Sequence, residues 1–397
     1  MSSDLNLLYT DVEDSLRSTV RDLLSSRCPS DAVIAIHDGD RSVVSPLWRA
    51  LAVDLGLAGL LVPESLGGAG ASAREAAVVL EELGRAAAPV PFLTGAVVAT
   101  AVLSGWPSAT SIHVDGHGDP ATAAADLLSA LAAGERTAAL AVPFSASSWS
   151  FVPHVVVDGD GALTGRVTSV AGALEADVLL VPVAVPDGAA AEAAGSGVAP
   201  GGVEIRAVEV AAADVAPVTS LDMSRQLADA SFDGAASQVV VPAGSGEAAV
   251  RRTLDLGAAL MASEQLGVAQ WCLDTTIDYL KERRQFGRVV GGFQALKHRL
   301  ADLYTLVEQA RAVARYAAAT AAEGDPDAQI AASVAQAYCS DVAVKAAEEC
   351  VQLHGGIGMT WEHPAHLYLK RAKADQIALG TPGAHRARLG ELVDLPA

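Results

Sequence analysis

The chain has few aromatic residues, few cysteines and an excess of acidic over basic side chains. Phe, Trp and Tyr together make up 4% of its 397 residues, although apolar residues of all kinds make up 51%. Alanine supplies much of this apolar content, and alanine is the strongest helix former. The composition excludes disorder over most of the chain and predicts two or three domains with large cores.

Long apolar runs and a secretory leader are also missing from the sequence. No stretch of about 18 apolar residues without charges occurs, so no membrane span is predicted. The N-terminal residues MSSDLNLLYTDVEDSLRSTV are acidic and amphipathic, unlike a signal peptide with its basic start and apolar block. We therefore expect a cytoplasmic protein. Its four cysteines show no paired spacing and are predicted to be buried, reduced thiols: Cys28, Cys272, Cys339 and Cys350.

The balance of charge restricts the partners. Against 27 basic residues stand 47 acidic ones, which gives a formal net charge of −20. Such a charge argues against nucleic acid and anionic membranes as partners. It leaves an anionic substrate possible, because a local patch can carry the opposite sign.

Hydrophobic periodicity divides the chain into three predicted domains, at residues 1–134, 135–243 and 244–397. In the first, a helical stripe begins after Asp11, which is predicted to be the N-cap. In the second, short Val-rich runs between Gly, Asp and Pro predict a β-barrel or sandwich, and 186–202 reads as an Ala- and Gly-rich loop. In the third, stripes such as Leu266, Ala269 and Leu273 predict an antiparallel four-helix bundle.

Two motifs in the third domain carry chemical information. The first is RRQFG…FQALKH, from Arg283 to His298, and the second is QLHGGIGMTWEH, from Gln352 to His363. Together they resemble the C-terminal helical domain of the acyl-CoA dehydrogenases, which are flavoproteins. The segments PESLGGAGASAREAAVVLEELGRAAAPVPF and LDMSRQLADASFDG extend the resemblance over nearly the whole chain. It implies the α+β multidomain fold of that family, with the order of domains given above.

The resemblance also implies a site for FAD that is shared at a subunit interface. A pyrophosphate needs a cation or exposed N–H groups and close approach of the backbone. Arg283 would pair with the pyrophosphate, Phe286 would pack beside the cofactor, and Gln294 would bond its adenosine part. The second motif would form the other wall, through Gln352, Gly355 and Gly356. On the alternative reading, Arg283 is a solvated helix-end arginine and the glycines only stop a helix.

The residue expected to act as catalytic base is missing. The resemblance places a glutamate directly before a Gly-Thr pair, and this chain has Leu379 there. Some members place the glutamate on the first long C-terminal helix instead, where this chain has Gly257. Glu264 lies two helical turns further on and is a weak substitute, against the alternative of a polar residue at a helix-packing face.

The predicted β-domain departs from the family pattern too. Where active members carry a Thr-Glu-Pro…Gly-Ser-Asp stretch, this chain has AVPFSASSWSFVPH at 141–154. Where they carry Trp-x-Thr beside the flavin ring, it has Ser169 and Ala171. The aromatic cover and the hydroxyl donor to the ring are therefore both expected to be absent.

Two other groups of polar residues have side chains that could bind a metal ion or a ligand. The segment LHGGIGMTWEHPAH contains side chains of the types that bind zinc, which are His354, Glu362, His363 and His366. Pro364 interrupts their helical spacing, so no metal site is predicted. Asp375 and His385 flank the lost base and are candidates for ligand contact, but a surface position is favoured for both.

These features favour the non-catalytic subunit of a heteromeric acyl-CoA dehydrogenase, active on steroid side chains or lipids. A partner subunit would supply the catalytic glutamate, an acyl-CoA would be the substrate, and an electron-transfer flavoprotein would accept the electrons. One alternative is an active homo-oligomer with an unusual base, acting on an unusual or carrier-bound acyl group. Another is a flavin-free scaffold of the same fold.

Overall fold

A computed structural model of the chain describes residues 5–104, 119–158, 160–185 and 202–395. The loop predicted at 186–202 lies outside these residues except for its last position. Contacts group the chain into two compact units. The first comprises Met1–Leu47, Ala73–Val90 and Ala258–Ala397, and the second comprises Trp48–Ser72 and Pro91–Gly257. The three-part division at 134/135 and 243/244 stays a prediction.

Helices account for most of the described residues. In chain order they are α1 (Asp11–Arg27), α2 (Ser30–Ala35), α3 (Val44–Arg49), α4 (Ala73–Arg85), α5 (Thr100–Ser104), α6 (Pro120–Ala132), α7 (Ala243–Glu282), α8 (Gln294–Glu323), α9 (Ala328–His354), α10 (Ala365–Ile377) and α11 (Pro382–Leu392). Helix α8 ends at Gly324, which has φ 60° and accepts the left-handed conformation of a C-cap. None of the helices that the structure describes is long and apolar enough to cross a membrane.

The start of α1 differs from the prediction in its capping residue. Thr10, not Asp11, is the N-cap, and Asp11 is the first helical residue. The Glu13 amide donates to Thr10 Oγ1 at 3.3 Å, and the Thr10 amide donates to the Glu13 carboxylate at 2.6 Å. This reciprocal capping box satisfies two donors that a helix start leaves open, which a capping aspartate at position 11 would not do.

Two glycines let α4 and α7 approach backbone to backbone within the first unit. A Cβ on Gly84 would lie 2.0 Å from the carbonyl oxygen of Glu264, and one on Gly267 would lie 1.9 Å from that of Glu81. Neither position has room for a methyl group, because the atoms opposite belong to the other helix's backbone. The pair of glycines therefore sets the spacing of these two helices.

The second unit contains one eight-stranded sheet. Its strands are β1 (Ala138–Leu140), β2 (Val155–Val157), β3 (Leu163–Ala171), β4 (Val178–Ala184), β5 (Val203–Glu209), β6 (Asp214–Val218), β7 (Leu227–Ala235) and β8 (Gln238–Val241). The order is β6-β7-β3-β2-β4-β5-β8, with β1 paired in parallel to β4. Strand β4 is buried along almost its whole length, as expected of a central apolar strand.

Six of these strands coincide with predicted Val-rich runs, but β6 and β7 do not. Strand β6 lies at the end of the sheet and contains Pro217, which is tolerated only where a ladder bond can be omitted. Strand β7 buries Ala228, Ala230 and Phe232 in alternation, and the polar residues Asp229, Ser231 and Asp233 follow each of them. Neither strand has the apolar run on which the prediction depended.

Candidate cofactor-binding site

The first motif forms a strained β-hairpin at the end of α7. Arg284–Gln285 (β9) pairs with Arg288–Val289 (β10), and the two loop residues are Phe286 and Gly287. Their φ angles are 52° and 74°, which is the geometry of a type I′ turn. A bulky side chain is unfavourable at positive φ, and Phe286 is 89% exposed, so its packing within this chain does not offset the strain. Such a residue is typical of a binding element.

The other two predicted cofactor residues of the first motif, Arg283 and Gln294, lie beside this hairpin. The Arg283 amide donates to the Tyr279 carbonyl at 2.9 Å, and its own carbonyl accepts from Val290 at 2.8 Å. The Arg283 side chain is exposed, and within the part of the chain that the structure describes it forms no ion pair. Gln294 is the first residue of α8 and is also exposed. A fixed backbone thus presents a cation and an amide outward.

Sequence reasoning missed two residues of this hairpin region. The Arg288 guanidinium lies 3.7 Å from the centroid of the Phe293 ring, and Phe286 meets the same ring edge-on at 6.3 Å. Phe293 is the N-cap of α8 and precedes Gln294 directly. The only signal in the sequence was their position inside the first motif.

The second motif contains two glycines with different requirements. Gly355 follows α9 and has φ 65° and ψ −138°, a conformation that glycine alone adopts readily. Gly356 has no positive φ, and a Cβ added there would meet nothing within 4 Å. Open space therefore lies beside Gly356, and nothing described in the chain requires a glycine there. Gln352 is exposed on the preceding turn of α9. This arrangement fits close approach by a ligand.

Aromatic contacts bring the two motifs to one end of the first unit. Tyr279, one turn before Arg283, stacks on His354 with the ring centroids 4.4 Å apart. His354 directly precedes Gly355 and lies 4.2 Å from the His363 ring. The six predicted cofactor residues therefore lie on the ends of α7 and α9, the hairpin and the start of α8.

His354 is buried, and His363 and His366 are half-buried among aromatic rings. Burial lowers the pKa of His354, but its hydrogen bonds to Cys350 outweigh this and leave the pKa raised. Burial, with the nearby His354, lowers the pKa of His363 to about 4. Burial, with Lys370 and His37, lowers the pKa of His366 to about 4. His354 Nδ1 lies 2.7 Å from the Cys350 carbonyl oxygen, so this nitrogen is already engaged.

The structure shows no set of metal-binding side chains in the ranges 5–104, 119–158, 160–185 and 202–395. Within them, no three histidine, cysteine or carboxylate side chains lie close enough to hold an ion. All four cysteines are buried and none is in a disulfide.

The turn that carries Leu379 keeps an unusual backbone. Leu379 has φ 54°, Gly380 has φ 102°, and the Leu379 side chain is only 4% exposed. His385 Nε2 lies 2.9 Å from the Leu379 carbonyl oxygen, and Gln336 Nε2 donates to the Ala378 carbonyl at 2.9 Å. The turn is therefore rigidly held, but its side chain cannot accept a proton.

The favoured surface position of Asp375 and His385 is wrong. Asp375 is fully buried and His385 is 2% exposed. Gln265 and Gln336 both donate to the Asp375 carbonyl, at 3.3 and 3.1 Å. The two residues belong to the buried polar network that supports the Leu379 turn, because a buried helix end must have its carbonyls satisfied.

The other two positions considered for the base are also buried. Glu264 is 1% exposed and forms an ion pair with Arg371, itself 1% exposed, at 2.6 Å. A general base must reach the proton that it removes, and a carboxylate held by a buried guanidinium does not. Of the two readings of Glu264, this geometry favours the helix-packing one. Gly257 lies buried within α7 and has no side chain.

In the second unit, the segment 141–154 lies beside the bulge of β3. The Phe144 amide donates to the Ser169 carbonyl at 2.9 Å. Ser169 has φ 57°, and its amide donates to Asp229 Oδ1 at 2.9 Å. Ala171 is buried, and Arg225 lies 5.5 Å from the centroid of the Phe144 ring. The two segments that stand where the family has its flavin-ring contacts are thus neighbours, and Phe144 is the residue of the first segment that bonds to Ser169.

Family models match both ends of the chain. The model described as "Acyl-CoA dehydrogenase, C-terminal domain" matches residues 244–393, and the one described as "Acyl-CoA dehydrogenase, N-terminal domain" matches residues 10–109. The chain belongs to the acyl-CoA dehydrogenase family. The fold described above is the fold of that family, with helices before and after a central sheet, and the resemblance read from the two motifs is confirmed.

Relatives that match nearly all of this chain include other acyl-CoA dehydrogenases. The chain is 33% identical over 375 residues to acyl-CoA dehydrogenase IpdE2 of Mycolicibacterium smegmatis, covering 94% of this chain and 96% of that protein. It is 35% identical over 393 residues to acyl-CoA dehydrogenase FadE34 of Mycobacterium tuberculosis, covering 96% of this chain but only 48% of FadE34.

One similar solved structure is a complex of two differently named chains. The ChsE4-ChsE5 complex from Mycobacterium tuberculosis matches with a TM-score of 0.80 and 25% identity, covering 99% of this chain and 100% of that chain. A structure named as the Tcur3481-Tcur3483 steroid ACAD matches with a TM-score of 0.78 and 29% identity, over 97% and 98% of the two chains.

Proposed function

We propose that this acyl-CoA dehydrogenase chain is the non-catalytic subunit of a heteromeric enzyme. The observation that carries the proposal is an asymmetry within one molecule. The two motifs keep an outward-facing arginine, a strained exposed phenylalanine and open glycines, whereas the base position is a buried leucine. The exposed side chains of Arg283 and Phe286 face outward from the fold, and the leucine offers no proton acceptor.

In this proposal the chain provides the wall for a partner's cofactor. Arg283 binds the pyrophosphate, Gln294 and Gln352 bond the adenosine part, and Gly355 and Gly356 let the backbone approach. Phe286 packs beside the cofactor. FAD, when bound, supplies a hydride acceptor for the α,β-dehydrogenation of an acyl-CoA thioester. The partner subunit provides the carboxylate that removes the α-proton.

Three observations on similar proteins support a paired enzyme of lipid or steroid breakdown. ChsE4-ChsE5 is a complex of two named chains, and Tcur3481-Tcur3483 is named as a steroid enzyme. FadE34 matches this chain over only 48% of its length, so it carries a further segment of about the same size. We propose a bulky acyl-CoA as the substrate, cytoplasmic location and an electron-transfer flavoprotein as acceptor.

The test is FAD content, measured on the purified chain alone and on the chain co-expressed with a neighbouring family member that keeps the glutamate. We expect no flavin on the chain alone and one FAD per pair of chains together. One FAD per chain alone would overturn the proposal in favour of an active homo-oligomer. A colourless, stable chain that takes no partner would favour a flavin-free scaffold.

A matched pair of variants locates the contact. Arg283→Gln removes the proposed pyrophosphate cation and is expected to lower the FAD content of the complex. Arg284→Gln changes the adjacent exposed arginine of the same hairpin and is expected to leave FAD content unchanged. Equal losses of FAD in both variants would show that the net positive charge of this region matters and that Arg283 makes no specific contact.

A further inference from the structure

A second, polar cleft lies in the first unit, separate from the two motifs. It has a volume of about 400 Å³ and is bounded by α1, α4, α7 and α8. On α7 its lining residues end at Asp274, more than two turns before Arg283. Its charged lining residues are five arginines and four carboxylates: Arg17, Arg21, Arg85, Arg311, Arg315, Asp14, Glu81, Asp274 and Glu308.

Two buried carboxylates on α4 occupy most of this positive charge. Arg17 and Arg311 both bind Glu81, at 2.9 and 3.1 Å. Arg21 binds both oxygens of Glu82, at 2.8 and 2.6 Å. These arginines have their ligands within the fold, so they form the walls of the cleft and leave little capacity for a further anion.

One more arginine at the rim is paired in the same way. Arg85 binds Asp274 at 2.8 Å, and both side chains are partly exposed. This pair is neutral and closes the α7 side of the cleft.

Arg315 is the exception. Its guanidinium lies 4.1 Å from the centroid of the Tyr9 ring, and Arg17 lies over the same ring at 4.7 Å. Its Nε is buried and has no hydrogen-bond acceptor in the part of the chain that the structure describes. No carboxylate oxygen of the described residues lies within 4 Å of the Arg315 side-chain nitrogens. Each of the other four arginines has such a partner. Because Nε is buried, the terminal nitrogens of this partly exposed side chain are the donors for which an anion in the cleft would supply an acceptor.

We propose that this cleft binds a small anion that carries a carboxylate or phosphate group, with Arg315 as its principal ligand. The planar guanidinium, held against Tyr9, presents its remaining donors in the fixed fork that suits both groups. The size lies within the usual range for small ligands, about 300–1,000 Å³. The charged walls exclude an acyl chain, so this site is distinct from a substrate site and does not depend on the proposed function.

The test measures binding of inorganic phosphate and of citrate to the full chain, by calorimetry and by melting temperature, with ionic strength held constant by KCl. We expect saturable binding of at least one of them at one site per chain. Phosphate alone would identify a phosphoryl ligand, and citrate alone would identify a carboxylate ligand. No saturable binding of either anion would overturn the proposal.

Variants assign the site. Arg315→Gln is expected to weaken binding by roughly tenfold or more, since a charge-assisted bond to a guanidinium is lost. Arg27→Gln removes the same charge from an exposed position at the end of α1 and should leave binding unchanged. If Arg315→Gln does not fold, Arg315→Lys keeps the charge but not the fork and should also bind more weakly. Binding that is unaltered in the folded Arg315 variant would contradict the assignment.

Discussion

At the scale of single residues, Leu379 combines a buried apolar side chain with a left-handed backbone conformation. An L-residue in the left-handed conformation costs about 1–2 kcal/mol, and leucine has no polar side chain to ease it. Gln336 and His385 nevertheless hold the adjoining carbonyls in place. The conformation therefore depends on the surrounding network rather than on the residue at 379. The resemblance to the family predicts a glutamate at this position, but it does not predict the conformation of the turn in this chain.

The buried pair of Glu264 and Arg371 gives the first prediction. Glu264→Leu or Arg371→Met alone breaks this buried ion pair and is expected to lower the free energy of unfolding by about 3–5 kcal/mol. The double variant Glu264→Leu/Arg371→Met should recover part of this loss, because both charges of the pair are then absent. Urea denaturation of the four proteins measures the cycle. Additive losses in the double variant would show that the pair is not the source of the effect.

At the scale of elements, the crossing of α4 and α7 depends on glycines rather than on a hydrophobic stripe. Gly267→Ala is expected to destabilise the chain by about 1–3 kcal/mol or more, because its methyl group would meet the Glu81 carbonyl and the helices must separate. Gly390→Ala, in open space on α11, should be neutral or stabilising by up to about 1 kcal/mol. Thermal unfolding of both variants checks this. A tolerated Gly267→Ala would mean that the helices do not cross so closely.

The segment around α10 gives a prediction for pH. The pKa values of His363 and His366 are about 4, so both stay neutral in the folded chain while the unfolded chain takes up protons below about pH 6.5. Their contribution to stability is present above pH 6.5 and is lost as the pH falls towards 4. We expect the melting temperature to fall over this range, and to fall less in His366→Phe. His298→Phe, at an exposed position on α8, is the control and should follow the wild-type curve.

Periodicity predicted the long elements well, and local chemistry explains where it failed. Leu266, Ala269 and Leu273 are buried along α7, as their spacing indicated. Strands β6 and β7 were missed because neither has a long apolar run: β6 has five residues and begins with an aspartate, and β7 has a polar residue at every second position over most of its length. Asp11 was preferred as cap because it precedes the stripe, but the reciprocal bond between Thr10 and Glu13 requires the earlier residue. The hairpin at Phe286 was missed because phenylalanine is a poor signal for a type I′ turn.

At the scale of the whole molecule, the two motifs are 54 residues apart from the end of the first to the start of the second, and no periodicity joins them. From the sequence alone, only the resemblance to the family predicts that the two motifs belong to one site. The stacking of Tyr279 on His354 supplies the physical link, and neither residue was among those predicted to bind the cofactor. Long-range contacts of this kind have no local pattern, so they required the fold.

The final prediction separates folding from assembly. Phe286→Asn places a residue that tolerates positive φ in the turn, so the free energy of unfolding of the isolated chain should stay the same or rise by up to about 1 kcal/mol. Its complex with the proposed partner should retain less FAD, because the exposed ring is gone. Gln285→Asn, one residue earlier and outside the two turn positions, should change neither quantity. A strongly destabilised Phe286→Asn chain would show that the ring serves the fold itself.

The motif side chains that face outward also bear on how a cell handles this chain before assembly. Phe286, Met359 and Trp361 are 89%, 76% and 57% exposed. Chaperones and proteases survey newly made proteins for such side chains, and apolar surface left uncovered favours aggregation. A copy made in excess of the proposed partner would therefore be short-lived. Under the proposed pairing, balanced synthesis of the two chains would be a physical requirement, because a surplus copy of this chain carries its own signal for removal.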